Sequence, residues 1–421
     1  MFSFRRGRRR AVTHQLRKIA GRENTRTEPS ELLAYSYDAT FQQRLPTAAV
    51  AVQNTEQVAS IVELAANEHI PVVARGAATG LAGGSVPPPD AIVLNLAKMR
   101  GIKDIDPDDG VAVVEPGVIT SQFHAAVERV GLFYPPDPAS LRQCTIGGNL
   151  ACNAGGPRCL KYGVTRDYVR GVTVVLADGS VVETGGRVLK SSTGYALPHL
   201  FVGSEGTLGI ITEAVLRLIP LPRGRATALV FFGSVEAATE TVTASFLKGL
   251  APATLEFLDT HTLELVSSEL PTQLPEGTQA ALLIETDSFE ATEALDALQR
   301  VVAIARQTDV LGIHLATDEE ESSRIWHARQ AISGAFGRIA KGKLGEDVVV
   351  PRSKIANMVR AVEEISQTHG LPIPLFGHAG DGNLHPNILF DPSSPSDLLA
   401  VERAAIEIFE RAIALGGALS G

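Results

Sequence analysis

Two histidines, His378 and His385, lie seven residues apart in the segment FGHAGDGNLHPNI, which has glycines before and between them. Glycine disfavours a helix, and in one uninterrupted strand side chains seven residues apart point to opposite faces. The chain must therefore fold back between the two histidines for their imidazoles to converge. Converging neutral imidazoles can bind a divalent metal ion, although two of them need a third ligand. The alternative is that each imidazole hydrogen-bonds to a neighbouring carbonyl group.

Three other polar residues suit a substrate that carries a carboxylate. Arg329, in WHARQAI, has a planar guanidinium that can grip a carboxylate through two hydrogen bonds; the alternative is a surface arginine of a helix. Asn387 lies two residues after His385, on the same strand face, where its amide could orient a substrate. Lys343, in KGKLGED, is either a further substrate contact or a solvated lysine.

A glycine-rich segment, RGAATGLAGGS at 75–85, directly follows an apolar run that reads as a strand. Its glycines permit positive φ, and successive exposed N–H groups there could form a nest for a pyrophosphate. The spacing does not match G-x-G-x-x-G, and no Gly-Lys-Ser/Thr follows, which argues against a nicotinamide Rossmann site and a P-loop. Two more glycine-rich segments, 145–163 and 203–218, favour an extended phosphate-bearing ligand along loop edges over a plain turn.

The elements that must position these residues alternate between strand and helix patterns. Residues 1–44 predict a helical lead-in, and 45–220 a strand-rich domain in which Asn54 caps a helix. Asp109-Gly110 and Asp178-Gly179 each lie between apolar runs and predict hairpin turns.

Prolines and arginines in LIPLPRGRA mark a boundary, and a β-α-β, β-α-β pattern follows in 221–421. The segment TDEE, Thr317 to Glu320, predicts a capping box for a long helix. The chain as a whole therefore reads as α+β.

Composition excludes several classes of function. The 421 residues include 38 basic and 47 acidic side chains, a net charge of −9, which disfavours a general nucleic-acid binder. No apolar run reaches the roughly 18 residues of a membrane helix. The basic start contains Arg5-Arg6 but continues with a polar segment, so a solvated basic arm is expected, with weak attraction to anionic lipid as the alternative.

Three cysteines cluster in the sequence, at Cys144, Cys152 and Cys159. Their spacing matches no zinc or iron–sulfur pattern. Reduced thiols and a cytoplasmic protein are therefore expected.

Six segments together resemble a known family: PVVARGAATGLAGGS, YPPDPAS, IGGNLACNAGGPRCLKYG, VGSEGTLGIITEAVLRL, EDVVVPRSKI and GHAGDGNLHPN. The chain resembles the FAD-linked oxidases of the vanillyl-alcohol-oxidase type. Within them it is most similar to the group of D-lactate dehydrogenase, D-2-hydroxyglutarate dehydrogenase and the D-type subunit of glycolate oxidase. The resemblance implies a two-part FAD-binding domain followed by a ferredoxin-like α+β cap domain for the substrate.

The resemblance also implies roles for individual residues. The loop from Arg75 to Gly84 would hold the FAD pyrophosphate through backbone amides, and RGAATG lacks the histidine that tethers flavin in some relatives, so FAD would be noncovalent. The implied cofactor-binding residues are Arg75, Gly76, Ala77, Thr79, Gly80, Leu81, Pro136, Asp137, Thr145, Gly147, Gly148, Asn149, Ala154, Gly155, Glu205 and Ile210.

The implied reaction is oxidation of a D-2-hydroxy acid, glycolate or D-lactate, to the 2-oxo acid. Arg329 would anchor the carboxylate, with Asn387 and Lys343 nearby, and a divalent metal such as zinc on His378 and His385 would lower the pKa of the hydroxyl. Hydride would pass to the flavin. A quinone, a cytochrome, or an iron–sulfur or flavin partner subunit would accept the electrons, with at most peripheral membrane association.

The family's third metal ligand and catalytic base lie in a Glu-His-Gly motif after a GGxxSG segment. Here GGALSG is 416–421, where the sequence stops, so a truncated reading frame is expected. The rival interpretation is a noncatalytic flavin-binding subunit or an inactive fragment. An oxidase of an alcohol or a sugar is disfavoured by Arg329 and the two histidines.

Overall fold

The computed structural model describes residues 2–40 and 42–420, with the backbone alone for 2–7. The side chains of Arg5 and Arg6, on which the basic-arm prediction rests, and the final Gly421 lie outside the described residues. Contacts divide the chain into unit 1, residues 1–156 and 163–221, and unit 2, residues 157–162 and 222–421.

The helices are α1 (Phe2–Ala20), α2 (Pro29–Leu32), α3 (Thr55–Asn67), α4 (Thr120–Glu128), α5 (Ile146–Cys152), α6 (Cys159–Tyr162), α7 (Leu197–Phe201), α8 (Val235–Leu247), α9 (Thr260–Leu265), α10 (Ala291–Ala305), α11 (Glu319–Ile339), α12 (Ile355–His369) and α13 (Pro395–Ala414). The strands are β1 (Thr25–Arg26), β2 (Ala48–Ala51), β3 (Val72–Arg75), β4 (Ile92–Asn95), β5 (Ile102–Asp106), β6 (Val111–Val114), β7 (Leu132–Phe133), β8 (Val169–Val175), β9 (Val181–Gly185), β10 (Ile210–Arg217), β11 (Ile219–Pro220), β12 (Gly224–Phe232), β13 (Thr254–Asp259), β14 (Ala280–Ser288), β15 (Val310–Leu315), β16 (Gly342–Gly345), β17 (Val348–Val349), β18 (Leu375–His378), β19 (Asn383–Phe390) and β20 (Ala418–Leu419).

Unit 1 contains two main sheets, as a two-part domain requires. The first has the order β1-β2-β4-β3, with parallel pairs β2–β4 and β3–β4 and an antiparallel edge strand β1. Its core packs apolar residues of α1 and α3 against the strands, including Leu16, Ile61 and Leu94, which are fully buried. Asn54 caps α3 by accepting a hydrogen bond from the amide of Gln57 at 2.9 Å, so the predicted cap is confirmed.

The second sheet of unit 1 is antiparallel, with the order β5-β6-β10-β8-β9. The turn with Asp109-Gly110 joins β5 to β6, and the turn with Asp178-Gly179 joins β8 to β9. Gly110 has φ +61° and Gly179 has φ +87°, a region that glycine enters without steric cost. Both predicted hairpins are therefore confirmed.

Unit 2 is built on one large antiparallel sheet. Its first part follows the chain order β12, α8, β13, β14, α10, β15 and pairs its strands in the order β15-β12-β14-β13. This arrangement is the split β-α-β of a ferredoxin-like fold, which confirms the predicted cap architecture. β18, β19, β17 and β20 then extend the sheet beyond β13, and β16 pairs with β19.

Helices cover both faces of this sheet. One core lies between the sheet and α8, α10, α12 and α13 and includes Phe232, Phe257 and Ile284. The other core lies under α9 and α11 and includes Phe231, Ile332 and Phe336. Within the described residues, no helix combines the length and the apolar character needed to cross a bilayer.

Two local predictions in unit 2 are wrong. The strand β13, TLEFLD, was not predicted, because its Glu256 and Asp259 break the apolar run. The capping box also begins one residue late relative to the prediction: Asp318 is the cap of α11, accepting from the amide of Glu321 at 2.8 Å. The carboxylate of Glu321 in turn accepts from the amide of Thr317 at 2.7 Å, so the reciprocal pair involves Glu321 rather than Glu320.

Candidate functional site

The two histidines of the glycine-rich segment lie on a β-hairpin in unit 2. His378 ends β18, a four-residue turn follows, and His385 is the third residue of β19. Phe376 pairs with His385 and His378 with Asn383, so the histidines are diagonal neighbours on one face of the sheet. Their rings are nearly perpendicular, at 86°, with centroids 5.0 Å apart. The chain folds back between them as the spacing predicted.

A carboxylate holds the Nδ1 side of each imidazole. Nδ1 of His378 lies 2.5 Å from Oε1 of Glu256, and Nδ1 of His385 lies 3.4 Å from Oδ2 of Asp347. The two Nε2 atoms face each other at 3.4 Å. A carboxylate that accepts from Nδ1–H orients a histidine so that Nε2 presents its lone pair, which is the usual support of a metal-binding histidine.

Glu256 also holds Arg329. Its Oε2 accepts a hydrogen bond from Nε of Arg329 at 2.8 Å and forms an ion pair with Nη2 at 2.6 Å. Glu256 is fully buried, and the Arg329 side chain is 12% exposed. Because one edge of the guanidinium is used by Glu256, the Nη1 group makes no hydrogen bond within the described chain and remains for a ligand. One buried carboxylate thus orients both the arginine and a histidine.

An aromatic ring separates the arginine from the second histidine. The guanidinium carbon of Arg329 lies 4.4 Å from the ring centroid of Phe376, and that ring lies 5.2 Å from the ring of His385. Stacking on an aromatic face restricts the orientation of a guanidinium. The site is therefore built on β13, β18 and β19 and covered by α11.

The other two predicted substrate residues lie on the same sheet face. Asn387 follows His385 on β19, is buried, and donates from Nδ2 to the carbonyl of His385 at 2.7 Å. Lys343, on β16, pairs with Leu389, and its Nζ lies 5.7 Å from the ring centroid of Phe336. Burial lowers the pKa of Lys343. The lysine is half-buried rather than a solvated surface residue.

The pKa of Glu256 is lowered by its two cationic partners more than it is raised by burial. Burial alone would raise the pKa of its carboxyl group, but His378 and Arg329 hold that pKa at about 2, below the usual 4.5. Burial would lower the pKa of His378, and Glu256 reverses that effect, so the net shift is upward. Burial lowers the pKa of His385, which has no partner as close. His385 is therefore the imidazole that stays neutral more readily.

The glycines of the hairpin are required by close packing. Gly382 has φ +86°, and a Cβ there would overlap the carbonyl oxygen of Val350. A Cβ on Gly377 would overlap the backbone carbonyl oxygen of Asn383, and one on Gly380 would overlap the side chain of Leu160. The glycines allow the tight turn that brings His378 back towards His385.

The Gly382→Ala variant is expected to destabilise unit 2 by at least about 2 kcal/mol, because the left-handed conformation and the overlap with Val350 both oppose a Cβ. Urea unfolding followed by fluorescence measures this, since Trp326 on α11 is the chain's one tryptophan and reports on unit 2. Gly334→Ala, at an open position of α11, is the matched control and should gain about 0.5–1 kcal/mol. Equal stability of the two variants would contradict the packing argument.

The histidine pair fits a metal ion in geometry but not in number of ligands. Two nitrogens that bind one tetrahedral zinc ion, each about 2.0–2.1 Å away, lie about 3.3–3.4 Å apart, and the two Nε2 atoms are 3.4 Å apart. Within residues 2–40 and 42–420, no group of three or more histidine, cysteine, aspartate or glutamate side chains could hold a metal ion. The pair therefore supplies two ligands of a site that needs a further one.

The three glycine-rich segments converge in unit 1. A Cβ on Gly76 would meet Oγ1 of Thr145, and one on Gly84 would lie 3.0 Å from Oε2 of Glu205. The amide of Glu205 donates to the carbonyl of Ala151 at 2.9 Å. The first segment thus contacts the second and the third, as expected for one extended ligand site.

Backbone conformation in these segments suits a ligand that is bound by amides. Ala78 has φ +55° and Glu205 has φ +52°, unusual values for residues with a side chain, and Gly83 has φ +77°. A Cβ on Gly80 or Gly83 would meet nothing within 4 Å, so open space lies over the loop. These observations fit the pyrophosphate of FAD.

Several predicted cofactor residues form hydrogen bonds that support the loops. Arg75 is buried and donates to the carbonyls of Tyr37 at 2.7 Å and Ala34 at 3.1 Å, so its guanidinium is a structural group, and burial lowers its pKa. Thr145 caps α5 by accepting from the amide of Gly148 at 3.2 Å. Asn149 is buried and donates to Thr120 at 2.8 Å.

The remaining predicted residues lie at or next to the converging loops. Leu81 is exposed, at 68%, and Ile210 is buried at the start of β10. The carbonyl of Pro136 lies 3.0 Å from Nε2 of His124, and Gly147 donates to the carbonyl of Pro116 at 2.8 Å. The others are Ala77, Thr79, Asp137, Ala154 and Gly155, of which the amide of Ala154 donates to the carbonyl of Asn149 at 2.9 Å.

Glu256 is the residue that sequence reasoning missed. Its signal was present in TLEFLD, where a carboxylate stands between Leu255 and Phe257 in an apolar run. Charged residues are almost never fully buried unless they are paired. A buried strand with one central glutamate therefore implies a cationic partner, although the sequence does not name Arg329 as that partner.

Two family descriptions match the chain. "FAD binding domain" matches residues 46–185, and "FAD linked oxidases, C-terminal domain" matches residues 221–421. Glycolate oxidase subunit GlcD of Bacillus subtilis (strain 168) is 44% identical over 412 residues, covering 97% of this chain and 87% of the relative. D-lactate dehydrogenase of Archaeoglobus fulgidus is 35% identical over 396 residues, covering 92% and 86%.

A solved structure shares the fold at low sequence identity. The structure of p-cresol methylhydroxylase with substrate bound superposes with a TM-score of 0.81 at 19% identity, covering 98% of this chain and 88% of that one. At this identity the likeness concerns the fold alone. The likeness extends over both units of this chain.

Proposed function

We propose, from the fact that this chain belongs to the FAD-linked oxidases, that it oxidises a D-2-hydroxy acid to the corresponding 2-oxo acid with FAD as the hydride acceptor. The observation that carries the proposal is the fixed guanidinium of Arg329 on the same sheet face as His378 and His385. The relatives named for glycolate oxidase and D-lactate dehydrogenase support this class of substrate. Glycolate and D-lactate are the two substrates we propose.

Arg329 binds the substrate carboxylate in this mechanism. Glu256 fixes the edge of the guanidinium that carries Nε and Nη2, and the ring of Phe376 packs against the guanidinium face. Because the side chain is already ordered, Nη1 can bind the substrate with little further loss of conformational entropy. Because the surroundings are largely buried, the charge-assisted contact to a carboxylate is strong. Asn387 and Lys343, on the same sheet face, provide further polar groups that orient the substrate.

FAD, when bound, supplies the acceptor for the hydride from the α-carbon. Backbone amides of the loop from Gly76 to Gly84 would hold its pyrophosphate, and residues of the segments that contain Thr145 and Glu205 would contribute to the same site. No histidine stands in RGAATG to form a covalent link. We therefore propose noncovalent FAD.

Replacing Gly80 by leucine is expected to weaken FAD binding at least about tenfold, because the side chain would fill the open space over the loop. The folded apoprotein accommodates the change, since nothing lies within 4 Å of that Cβ position. Quenching of flavin fluorescence during titration of apoprotein with FAD measures the Kd. Gly334→Leu, at an equally open glycine in unit 2, should bind FAD as the wild type does. Unchanged affinity in Gly80→Leu would refute the placement of the ligand.

A divalent metal ion such as zinc would be held by Nε2 of His378 and Nε2 of His385, and would supply a Lewis acid for the substrate hydroxyl. Glu256 and Asp347 keep the hydrogens on Nδ1, so that both Nε2 lone pairs are available. Each histidine must be neutral to bind, so metal binding releases a proton wherever His378 is protonated.

His385→Gln is expected to lower the affinity for Co²⁺ at least about tenfold, because it removes one of two nitrogen ligands. The visible absorption of bound Co²⁺ and the measured metal content report this without any assay of turnover. His369→Gln is the matched control, because that histidine pairs with Glu407 on another face of unit 2. If wild-type protein binds no Co²⁺, the metal proposal fails while the FAD proposal stands.

The deciding experiment is an anaerobic titration of the FAD-loaded protein with D-lactate and with glycolate, following the visible flavin band. Bleaching of the band demonstrates hydride transfer from that substrate, and L-lactate is the stereochemical control, which should leave the band unchanged. If the flavin stays oxidised with every 2-hydroxy acid, the chain is a noncatalytic flavin-binding subunit. That rival is favoured by one observation: only two metal ligands converge within the described residues.

We further propose that a quinone, a cytochrome, or an iron–sulfur or flavin partner subunit would accept the electrons that FAD takes from the substrate. The relative in Bacillus subtilis is named as a subunit of glycolate oxidase, which supports a partner. Cys144, Cys152 and Cys159 form no disulfide within the described residues, which fits a reducing compartment. We propose a cytoplasmic location with at most peripheral membrane association.

A further inference from the structure

Helix α13 exposes a row of apolar side chains. Leu399, Ile406 and Ile413 are 59%, 51% and 58% exposed, and they follow one another at intervals of seven residues. Seven residues are close to two helical turns, so the three side chains lie on one face. The opposite face of α13 faces the core through residues such as Ala404 and Ile408, which are fully buried. The three side chains therefore lie on the face of α13 that does not pack into the core of unit 2.

Two opposite charges flank the row on the same side. Arg403 and Glu410 are also seven residues apart, and both are exposed. Neither forms an ion pair within the described part of the chain, in contrast to Arg411, which pairs with Glu364 and Glu407. The midpoint between Arg403 and Glu410 falls between Ile406 and Glu407, at the centre of the apolar row. Arg403 and Glu410 thus lie at about equal distances on either side of the centre of the row, and they carry opposite charges.

Such a pattern is complementary to itself under a two-fold rotation. If a second α13 lies antiparallel to the first, with the axis beside Ile406, each Leu399 meets Ile413 of the other copy. Each Arg403 then lies opposite Glu410 of the other copy, and the contact occurs twice. A parallel arrangement would instead place the charged residues of the two copies on opposite flanks of the contact, where Arg403 and Glu410 could not pair. Only the antiparallel pairing satisfies both the apolar row and the charges.

A groove beside the row gives the second copy a surface to enter. It lies along α13 next to the end of α12, has a volume of about 470 Å³, and is lined by residues that include His369, Ile406, Glu410 and Ala414. Side chains of a helix pack into grooves of the facing helix surface. The groove therefore extends the contact beyond the three apolar residues.

We propose that the exposed face of α13 is a docking surface for a second copy of this chain, paired antiparallel through Leu399, Ile406 and Ile413 and through reciprocal Arg403–Glu410 ion pairs. This dimer is separate from the catalytic residues of unit 2, all of which lie on other elements. One pair of helices buries less than about 1,200 Å², the lower end for a stable interface, so the dimer is weak and depends on concentration.

Sedimentation velocity of the FAD-loaded chain, over about a hundredfold range of concentration, tests the proposal. The wild type should shift from monomer to dimer. Ile406→Lys should raise the dimer Kd at least about tenfold, because it places two like charges at the centre of the contact. Leu247→Lys, at another exposed leucine of unit 2, is the matched control and should leave the Kd unchanged.

Charge reversal distinguishes this geometry from any other contact. Arg403→Glu and Glu410→Arg should each weaken the dimer, and the double variant should restore it, because the reversed charges again face each other. Thermal unfolding confirms that every variant is folded. A wild type that stays monomeric, a dimer that survives Ile406→Lys, or a double reversal without rescue would each overturn the proposal.

Discussion

Arg329→Met is expected to lower kcat/KM for D-lactate or glycolate at least about a hundredfold, equivalent to about 3 kcal/mol of transition-state binding. The substrate carboxylate would enter a largely buried site whose cationic partner is gone. Arg329→Lys should lose less, about tenfold, because an ammonium keeps the charge but cannot hold Glu256 and the substrate with one planar fork. The comparison therefore separates charge from geometry.

The measurement is the rate of anaerobic flavin reduction against substrate concentration, expressed per bound flavin. Arg324→Met is the matched control, because Arg324 lies on the same helix, α11, with its side chain 58% exposed. It should retain wild-type rates. If Arg329→Met keeps the wild-type kcat/KM, Arg329 is only the structural partner of Glu256, and another residue binds the carboxylate.

Glu256→Gln is expected to destabilise unit 2 by about 3 kcal/mol, because the amide no longer neutralises Arg329 in a buried position. Urea unfolding followed by the fluorescence of Trp326 reads this difference in unit 2. Glu264→Gln, an exposed carboxylate on α9, is the matched control and should have no effect. The double variant Glu256→Gln/Arg329→Met should cost less than the sum of the single variants, because the two side chains share one interaction.

The effect of Glu256 depends on pH in a defined direction. Its pKa is about 2 in the folded protein, against a usual value of 4.5, so the ionised form is stabilised by folding. The stabilisation is complete above about pH 4.5 and is lost as the pH falls through about 2. The difference between wild type and Glu256→Gln should therefore shrink as the pH falls from about 4.5 to about 2. A difference that does not change in acid would contradict the ion pair.

Much of the architecture was predictable because it depends on local sequence. The Asp-Gly turns form hairpins, Asn54 caps α3, and strands alternate with helices after residue 221. The ferredoxin-like order of the strands, in contrast, was implied by the family resemblance. Turn chemistry, capping and apolar periodicity each act over a few residues. The strand β13 was missed because Glu256 and Asp259 interrupt its apolar pattern. Their buried carboxylates are stabilised by partners that are distant in the sequence.

The sequence by itself determined which kinds of side chain are available: glycines for amide nests, two histidines on a chain that must turn, and an arginine suited to a carboxylate. Tertiary structure alone decided which of them meet. Glu256 and Arg329 are 73 residues apart, and Glu256 and His378 are 122 apart, yet one buried carboxylate holds both. Likewise Arg75, which stands in the glycine-rich loop, turns its guanidinium to the carbonyls of Ala34 and Tyr37. The physical reason is burial, because a charged group removed from water must be paired or hydrogen-bonded. The available partner depends on how distant segments pack together, which the local sequence does not specify.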